Sequence, residues 1–272
     1  MFSSISRRIR RILALSLTDF KDEYRFKLHY VTTLSYPLPT LVLFFVAYAS
    51  VINVSGIGSL QFIPDGKLNS YLLSAAITYG IVGVVWGRAH FLRAKYMQVL
   101  EGLLLAPINR IYMFLGKTLK VLIESSLALT PLILILLYET TPLPSAKNII
   151  TALLILLLTL IIFLSLDFMV ASIELAEEGI ASIAVIYGQR FFLFFGCLYY
   201  PIDVLPQVLH PLVYMNPLYH SINLFRWSLL NFPPTTDPTI SMAYLIALSL
   251  TLPLLSVKLL EHVFVRYGIR GY

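Results

Sequence analysis

The chain has 272 residues, of which 58% are hydrophobic and only 12% are charged, and its mean hydropathy is +0.81. Soluble domains are about one quarter charged, so this composition excludes a protein whose whole surface faces water. The length accommodates about six membrane spans of about 20 residues with short loops, and it excludes a second soluble domain.

The first predicted element is an amphipathic helix at residues 5–24, within a cytoplasmic segment that covers residues 1–28. Its apolar residues recur at helical spacing. Four arginines cluster near its start, namely Arg7, Arg8, Arg10 and Arg11. A helix of this kind lies at the membrane surface, where its arginines reach anionic headgroups.

Residues 29–272 are predicted to form one all-α polytopic membrane domain with six spans. The predicted spans are residues 31–52, 70–87, 112–138, 148–172, 180–199 and 240–257. Each is an apolar run of about the length that crosses a bilayer. Pro131 predicts a kink in the third span.

Residues 200–232, between the fifth and sixth predicted spans, are moderately apolar but are interrupted by prolines. These prolines are Pro201, Pro206, Pro211 and Pro217. Because proline breaks the interior of a helix, the pattern argues against one continuous span. Two short re-entrant helices that dip into the outer leaflet fit the pattern, provided that protein surrounds their freed backbone groups.

The positive charges predict the topology. The N-terminal segment holds seven Lys and Arg residues, the loop between spans two and three holds five, and the C-terminal tail holds three. The opposite side holds only Lys67, Lys147 and Arg226. Since cytoplasmic loops carry the excess of basic residues, both termini are predicted to be cytoplasmic, in a plasma or inner membrane. The net charge of +6 is thereby explained without nucleic acid.

Three stretches of the sequence resemble the motifs of a known protein family. The first is LEGLLLAPINR at 100–110 with Leu-Gly-Lys at 115–117, the second runs from Gly196 to Leu-Pro at 205–206, and the third joins Asn-Pro at 216–217 to Arg226. In order and separation they resemble the membrane subunit of type-2 ABC exporters, which export drugs, polysaccharides and lipids. The matching positions are Gly102, Pro107, Arg110, Gly116, Lys117, Gly196, Pro201, Pro206, Asn216, Pro217 and Arg226.

The resemblance implies a permease that encloses a transport path, as a homodimer in preference to a heterodimer, among membrane lipids. It implies two separate ATP-binding-cassette ATPase subunits as partners, and neither a catalytic residue nor a cofactor in this chain. It also implies that a helix at about 90–105 couples the permease to the ATPase. The residues expected to make that contact are Arg93, Tyr96, Gln98, Leu100 and Glu101. A helix that merely anchors the loop at the membrane is the alternative.

Four ionisable residues fall inside the predicted spans, namely Lys120, Glu124, Asp167 and Arg190. Such residues cost a few kcal/mol at mid-bilayer and usually face the bundle interior or a wet cavity. Lys120 and Glu124 lie four residues apart and can pair along one helix. Charge pairs that fix helix packing and a role in the substrate path both fit this pattern.

No motif predicts a nucleotide or metal site. The Gly-Lys-Thr at 116–118 lacks the earlier glycine of a P-loop, because Ile111 stands there. The five histidines have no metal-ligand spacing, and the lone Cys197 excludes an intrachain disulfide. The alternatives to a permease are an integral-membrane lipid-modifying enzyme, which needs a cluster of catalytic groups, and a secondary transporter, which favours two related halves.

Overall fold

The computed structural model describes residues 67–86, 110–140, 142–176 and 183–267, together with single positions and short runs between residues 10 and 48. Every regular element in this described part is helical, and it contains no strand. The α-helices are α1 (Leu68–Val85), α2 (Arg110–Glu139), α3 (Ala146–Ala176), α4 (Gln189–Phe195), α5 (His210–Tyr214), α6 (Pro217–Leu230) and α7 (Pro238–Tyr267). A π-helix (Ala184–Gly188) directly precedes α4, and two 3-10 turns (Ile202–Val204 and Gln207–Leu209) precede α5.

Helix α1 forms the centre of the bundle. Its sequence contains no charged residue and has no polar face, and nearly all of its side chains are buried. A helix that is apolar all round is stable only when it is surrounded. Helices α2, α3, α4 and α6 all pack against it, and small residues such as Ala75, Ala76 and Gly80 allow close approach of the backbones.

Helices α2, α3 and α7 are the long elements, with 30, 31 and 30 residues. At 1.5 Å per residue each is about 45 Å long, which exceeds the roughly 30 Å hydrocarbon core of a bilayer. Their outward faces expose apolar side chains such as Leu134, Ile150 and Leu250. Together with α1 they are the four helices of the described part that are long and apolar enough to cross a membrane.

Helix α3 links the other helices through packing and hydroxyl contacts. It lies along α7 and also contacts α1, α2 and α6. The rings of Phe114 on α2 and Phe168 on α3 meet edge to face, with centroids 5.5 Å apart. Thr159 Oγ1 on α3 donates a hydrogen bond to Ser221 Oγ on α6 at 2.7 Å. This bond satisfies two buried hydroxyl groups at the same helix interface.

Four of the six predicted spans, the second, third, fourth and sixth, are confirmed as helices with the length and hydropathy of membrane spans. The helices α2, α3 and α7 continue beyond the predicted ends, and α7 runs to Tyr267 rather than to residue 257. A hydropathy pattern marks the part of a helix at hydrocarbon depth, whereas backbone hydrogen bonding continues into the polar ends. Pro131 and Pro253 lie inside α2 and α7.

The other predicted elements are described in part. The helix at 5–24 and the first span at 31–52 contain only scattered described positions, all of them helical. The helix at 90–105 lies outside the described residues. The described part of the fifth predicted span begins at residue 183, and its helix ends at Phe195.

Residues 200–232 form short helices that begin at the prolines. Pro201 and Pro206 each stand before a 3-10 turn, Pro211 lies in the first turn of α5, and Pro217 is the first residue of α6. Proline is tolerated at a helix start because the backbone N–H that it lacks would have no partner there. The interruption read from the sequence is therefore present in the structure.

Candidate functional site at the end of α4

The end of α4 is a place where backbone carbonyl groups need partners from elsewhere. The last turn of any helix leaves its carbonyl oxygens without partners within the helix. Here Asn216 Nδ2 donates to Phe192 O at 2.9 Å, and the Tyr200 hydroxyl donates to Phe194 O. In a bilayer no water can take this role, so side chains must.

Two carbonyl groups just after α4, those of Leu198 and Tyr199, receive donors from distant parts of the chain. Arg226 Nη2 on α6 donates to Leu198 O, and the Tyr48 hydroxyl donates to Tyr199 O. We call the four donors Tyr48, Tyr200, Asn216 and Arg226 the anchor cluster. The cluster ties the end of α4 to α6 and to the helical positions before residue 49.

Arg226 is the most constrained member of the anchor cluster. Its side chain is only 5% exposed. Its Nε donates to Ser74 Oγ at 2.9 Å, and its Nη2 also donates to Tyr71 O at 3.2 Å. The guanidinium lies over the Tyr71 ring, 3.5 Å from the centroid. Hydrogen bonds and this cation–π contact offset the cost of burying the charge, and a cation is also favoured beside the negative end of a helix.

Asn216 serves two helices at once. Its Oδ1 accepts a hydrogen bond from the backbone N–H of Leu218 at 2.9 Å, which caps the start of α6. Its Nδ2 meanwhile donates to Phe192 O in α4. Asparagine is a favoured N-cap residue, and its amide also supplies donors that aspartate and serine caps lack or orient differently. The Asn-Pro pair thus starts one helix and completes another.

Gly196 lies directly after α4 and close to the start of α6. A Cβ at this position would stand 2.7 Å from Phe192 O and 3.1 Å from Leu218 Cδ2. The next residue, Cys197, has a left-handed backbone with a φ of 49°, and its side chain is buried. The predicted motif residues Gly196, Asn216 and Arg226 therefore meet at one place, although the sequence separates them by up to 30 positions.

A comparison with known families identifies the family to which this chain belongs. Residues 11–230 match the family described as ABC-2 type transporter. The match covers most of the chain and includes all three motif stretches. This chain is a member of the ABC-2 type transporter family. No curated protein matches the chain.

The chain is therefore an ABC transporter permease and a multi-pass membrane protein. The four ionisable residues predicted inside the spans of this permease lie in α2, α3 and α4. Lys120 and Glu124 are both buried in α2, and Lys120 Nζ lies 3.7 Å from Glu124 Oε1, so the predicted pairing along one helix is confirmed. Asp167 is buried in α3, whereas Arg190 is exposed on α4.

Gly116 marks a contact between the N-terminal segment and α2 of the permease. A Cβ at this position would stand 3.1 Å from Leu15 Cβ and 3.5 Å from Ile12 O. Residues 12–18 are helical, and the side chain of Ser16 within them is buried. Lys117, the next motif position, is half-buried. The motif glycine thus lies where the N-terminal helical segment crosses α2.

Several predicted positions fall outside the described residues. They are Arg93, Tyr96, Gln98, Leu100, Glu101, Gly102 and Pro107. Arg110 is the first residue of α2. Pro201 and Pro206 shape the turns after α4 without joining the anchor cluster. In the described part of the permease, no group of three His, Cys, Asp or Glu side chains could hold a metal ion.

The motifs did not reveal every residue of the site. Tyr71 and Ser74, which receive the Arg226 side chain, lie in α1 more than 150 positions earlier. A second group of hydrogen bonds surrounds His220 on α6. Ser241 Oγ on α7 donates to His220 Nδ1 at 3.0 Å, and His220 Nε2 donates to Tyr214 O on α5 at 2.8 Å. A carbonyl only accepts, so the Nε2–H tautomer follows from this geometry. Polar residues in an otherwise apolar helix were the available signal for Ser74.

Proposed function

We propose that this permease works as an exporter, as a dimer driven by two separate ATP-binding-cassette ATPase subunits. ATP would be hydrolysed on the partner chains, and this chain would contribute the moving passage. The observation that carries the proposal is the match to the ABC-2 type transporter family over residues 11–230, a range that includes the three motif stretches. A homodimer is proposed in preference to a heterodimer.

The proposed topology has six spans with both termini in the cytoplasm of a plasma or inner membrane. The segment 1–28 would lie at the cytoplasmic surface, and residues 29–272 would form the membrane domain. The 15 basic residues assigned to one side against three on the other support this orientation. The short helices of residues 200–232 would then lie on the outer side as a re-entrant region.

The transport path is proposed to run between spans one, two and five of the two copies. Exposed apolar and aromatic side chains on the fifth span support this placement. Tyr187, Phe191 and Phe194 recur at helical spacing on the π-helix and α4, and all three are exposed. Helix α1, which is the second predicted span, is in contrast buried within its own chain. It would therefore line the path only after neighbouring helices move apart. Lys120, Glu124, Asp167 and Arg190 are proposed to fix helix packing or to face the path.

The coupling to the ATPase is proposed to run through the helix at 90–105, with Arg93, Tyr96, Gln98, Leu100 and Glu101 in contact with the partner. Pro107 would end this helix before α2 begins at Arg110. The N-terminal helical segment would add a second contact. Its crossing of α2 at Gly116 supports that role, because a push on the segment would reach the third span directly.

The proposal is tested by purifying the tagged permease in mild detergent and identifying the ATPase that co-purifies. We expect a complex of two permeases and two ATPase subunits that hydrolyses ATP, while the isolated permease hydrolyses none. The Arg93→Ala and Glu101→Ala variants should reduce the yield of the complex, and Lys147→Ala on the opposite side is the matched control. ATP hydrolysis by the isolated chain, or equal yields from all variants, would contradict the proposal.

A further inference from the structure

Trp86 directly follows α1. Its backbone N–H still donates to Val82 O at 2.8 Å, but its ψ of 124° is extended, so the helix stops there. The indole is nonetheless only 8% exposed. The chain then continues into residues 87–109, which carry the proposed coupling helix. Trp86 is thus the last described residue before the segment on which the ATPase is proposed to act.

The indole contacts two phenylalanine rings, one on α3 and one on α4, and these two rings also contact each other. Its centroid lies 6.1 Å from that of Phe163 on α3 and 5.5 Å from that of Phe192 on α4. The Phe163 and Phe192 centroids are 5.1 Å apart, and all three contacts are edge to face. We call Trp86, Phe163 and Phe192 the aromatic triad. Edge-to-face packing favours specific geometry, so a displacement of one ring is passed to the others.

Gly188 lets the indole reach the backbone of the fifth helix. A Cβ at this position would stand 2.9 Å from Trp86 Cζ2, closer than real Cβ atoms approach a neighbour. Gly188 is also the last residue of the π-helix. A π-turn is rare and often stands at functional sites, because its wide turn can rearrange to an ordinary α-turn. The indole therefore lies against the last residue of the π-turn that precedes α4.

The two ends of α4 are held in different ways. The far end is bonded by the anchor cluster through four side-chain donors. The near end packs on Trp86, and Gln189 Nε2 adds a donor to Tyr79 OH at 3.3 Å. The side chains of Ile183, Ile186 and Tyr187 at this end are exposed. A push at Trp86 would therefore act on one end of a helix whose other end is bonded by the anchor cluster.

We propose that Trp86 is a positioning residue of transport, which sets the tilt of the π-helix and α4 according to the position of the cytoplasmic loop. Movement of residues 87–109 displaces the indole against Gly188. The near end of the helix then swings while the anchor cluster serves as the pivot, and the exposed face with Tyr187 and Phe191 turns relative to the path. This inference rests on the proposed function, since it needs an ATPase to move the loop.

The test measures the movement of each end of this helix in the complex. In a Cys197→Ser background, spin labels are attached at Ile173→Cys on α3 with either Ile183→Cys or Phe194→Cys, all at exposed positions. The labelled permease is diluted with unlabelled permease before the ATPase subunits are added. The distances between the labels are then measured by pulsed electron paramagnetic resonance, without nucleotide and in the state trapped by ATP and vanadate. We expect the 173–183 distance to shift and the 173–194 distance to stay nearly constant.

Variants separate a positioning role from a merely structural one. Trp86→Ala should abolish the 173–183 shift while ATP hydrolysis by the complex persists, and Trp86→Phe should reduce the shift, because the smaller ring does not reach Gly188. Gly188→Ala should disturb the shift when Trp86 is kept, because its Cβ would stand 2.9 Å from Trp86 Cζ2. Trp86→Phe combined with Gly188→Ala should restore the shift, because the alanine methyl group refills the space that the smaller ring leaves. Ile186→Ala, an exposed residue of the same π-helix, is the matched control and should behave as wild type.

The failures of the two proposals are distinguishable. If the complex binds and hydrolyses ATP but the 173–183 distance does not move, or moves equally in the Trp86→Ala variant, the inference about Trp86 is overturned and the proposed function stands. An equal shift at both label pairs would overturn the pivot. If no ATPase associates with the permease, both proposals are overturned, and the binding assay shows this before any distance is measured.

Discussion

Arg226 is a buried cation whose described hydrogen-bond partners are neutral oxygen atoms. Ser74, Tyr71 and Leu198 each accept from the guanidinium, and these acceptors belong to α1 and to the turn after α4. The fork of an arginine can serve several acceptors in one plane, which the single ammonium of lysine cannot. At this position the side chain matters for its directional donors as much as for its charge.

Replacing Arg226 should destabilise the permease in a graded way. Arg226→Ala removes the donors to Ser74 Oγ, Tyr71 O and Leu198 O, of which Tyr71 O keeps a donor in Ser74 Oγ, and it leaves a cavity. We therefore expect a loss of about 3 kcal/mol or more. Arg226→Gln should lose less, because its neutral amide can still donate. The measurement is thermal unfolding in detergent, with the exposed Lys258→Ala as the control. Equal melting temperatures for Arg226→Ala and wild type would contradict this account of the anchor cluster.

The two functions of Asn216 can be separated by substitution. Asn216→Ser keeps an N-cap acceptor for Leu218 N but loses the donor to Phe192 O, so we expect a loss of about 1 kcal/mol. Asn216→Ala loses both, and about 1 kcal/mol more should follow from the missing cap. The melting temperatures should therefore fall in the order wild type, serine, alanine. If serine and alanine melt together, the cap at α6 contributes nothing measurable.

Among whole elements, α7 shows how a span is started by one exposed carboxylate. Asp237 Oδ1 accepts from the backbone N–H of Thr239 at 2.7 Å and from that of Ile240 at 3.4 Å. The backbone hydrogen bond from Thr239, with that from Ile240, lowers the pKa of Asp237 below its usual value. The group lies outside the span, directly before Pro238.

The start of α7 should therefore loosen in acid. Because the folded-state pKa of Asp237 is lowered, its stabilising effect is fully present above the ordinary carboxyl range and is lost as the pH falls through the folded pKa. Hydrogen exchange at Thr239 and Ile240 should accelerate as that pH is passed, beyond the intrinsic pH effect. Asp237→Asn should remove this pH dependence. An unchanged exchange profile in the variant would show that another group causes it.

At the scale of the whole molecule, the prediction concerns orientation in the membrane. In a Cys197→Ser background, single cysteines at residues 21, 95 and 258 should react with an impermeant thiol reagent only from the cytoplasmic side. Cysteines at residues 67 and 147 should react only from the outside, because basic residues concentrate in the cytoplasm. Labelling of intact cells and of inverted vesicles checks both sets. Outside labelling at residue 95 would overturn the proposed topology and the coupling proposal with it.

How far the fold follows from the sequence differs between the helices. The apolar runs of α2, α3 and α7 were predicted within a few residues at most ends, because a bilayer requires each spanning segment to satisfy its own backbone. The end of α7 was missed by ten residues, since its last turns are amphipathic and lie beyond the apolar run. The breaks in residues 200–232 were predicted because proline acts locally.

The sequence by itself determined the four apolar helices α1, α2, α3 and α7 and the family to which the motifs belong, because hydropathy, proline and motif spacing are local properties. Only the tertiary structure decided that Gly196, Asn216 and Arg226 meet at the end of α4, and that Trp86 meets Gly188 more than 100 positions away. Such contacts depend on how helices pack side by side. In a chain that is apolar nearly throughout, helix faces look alike in sequence, so packing and buried donors choose the neighbours.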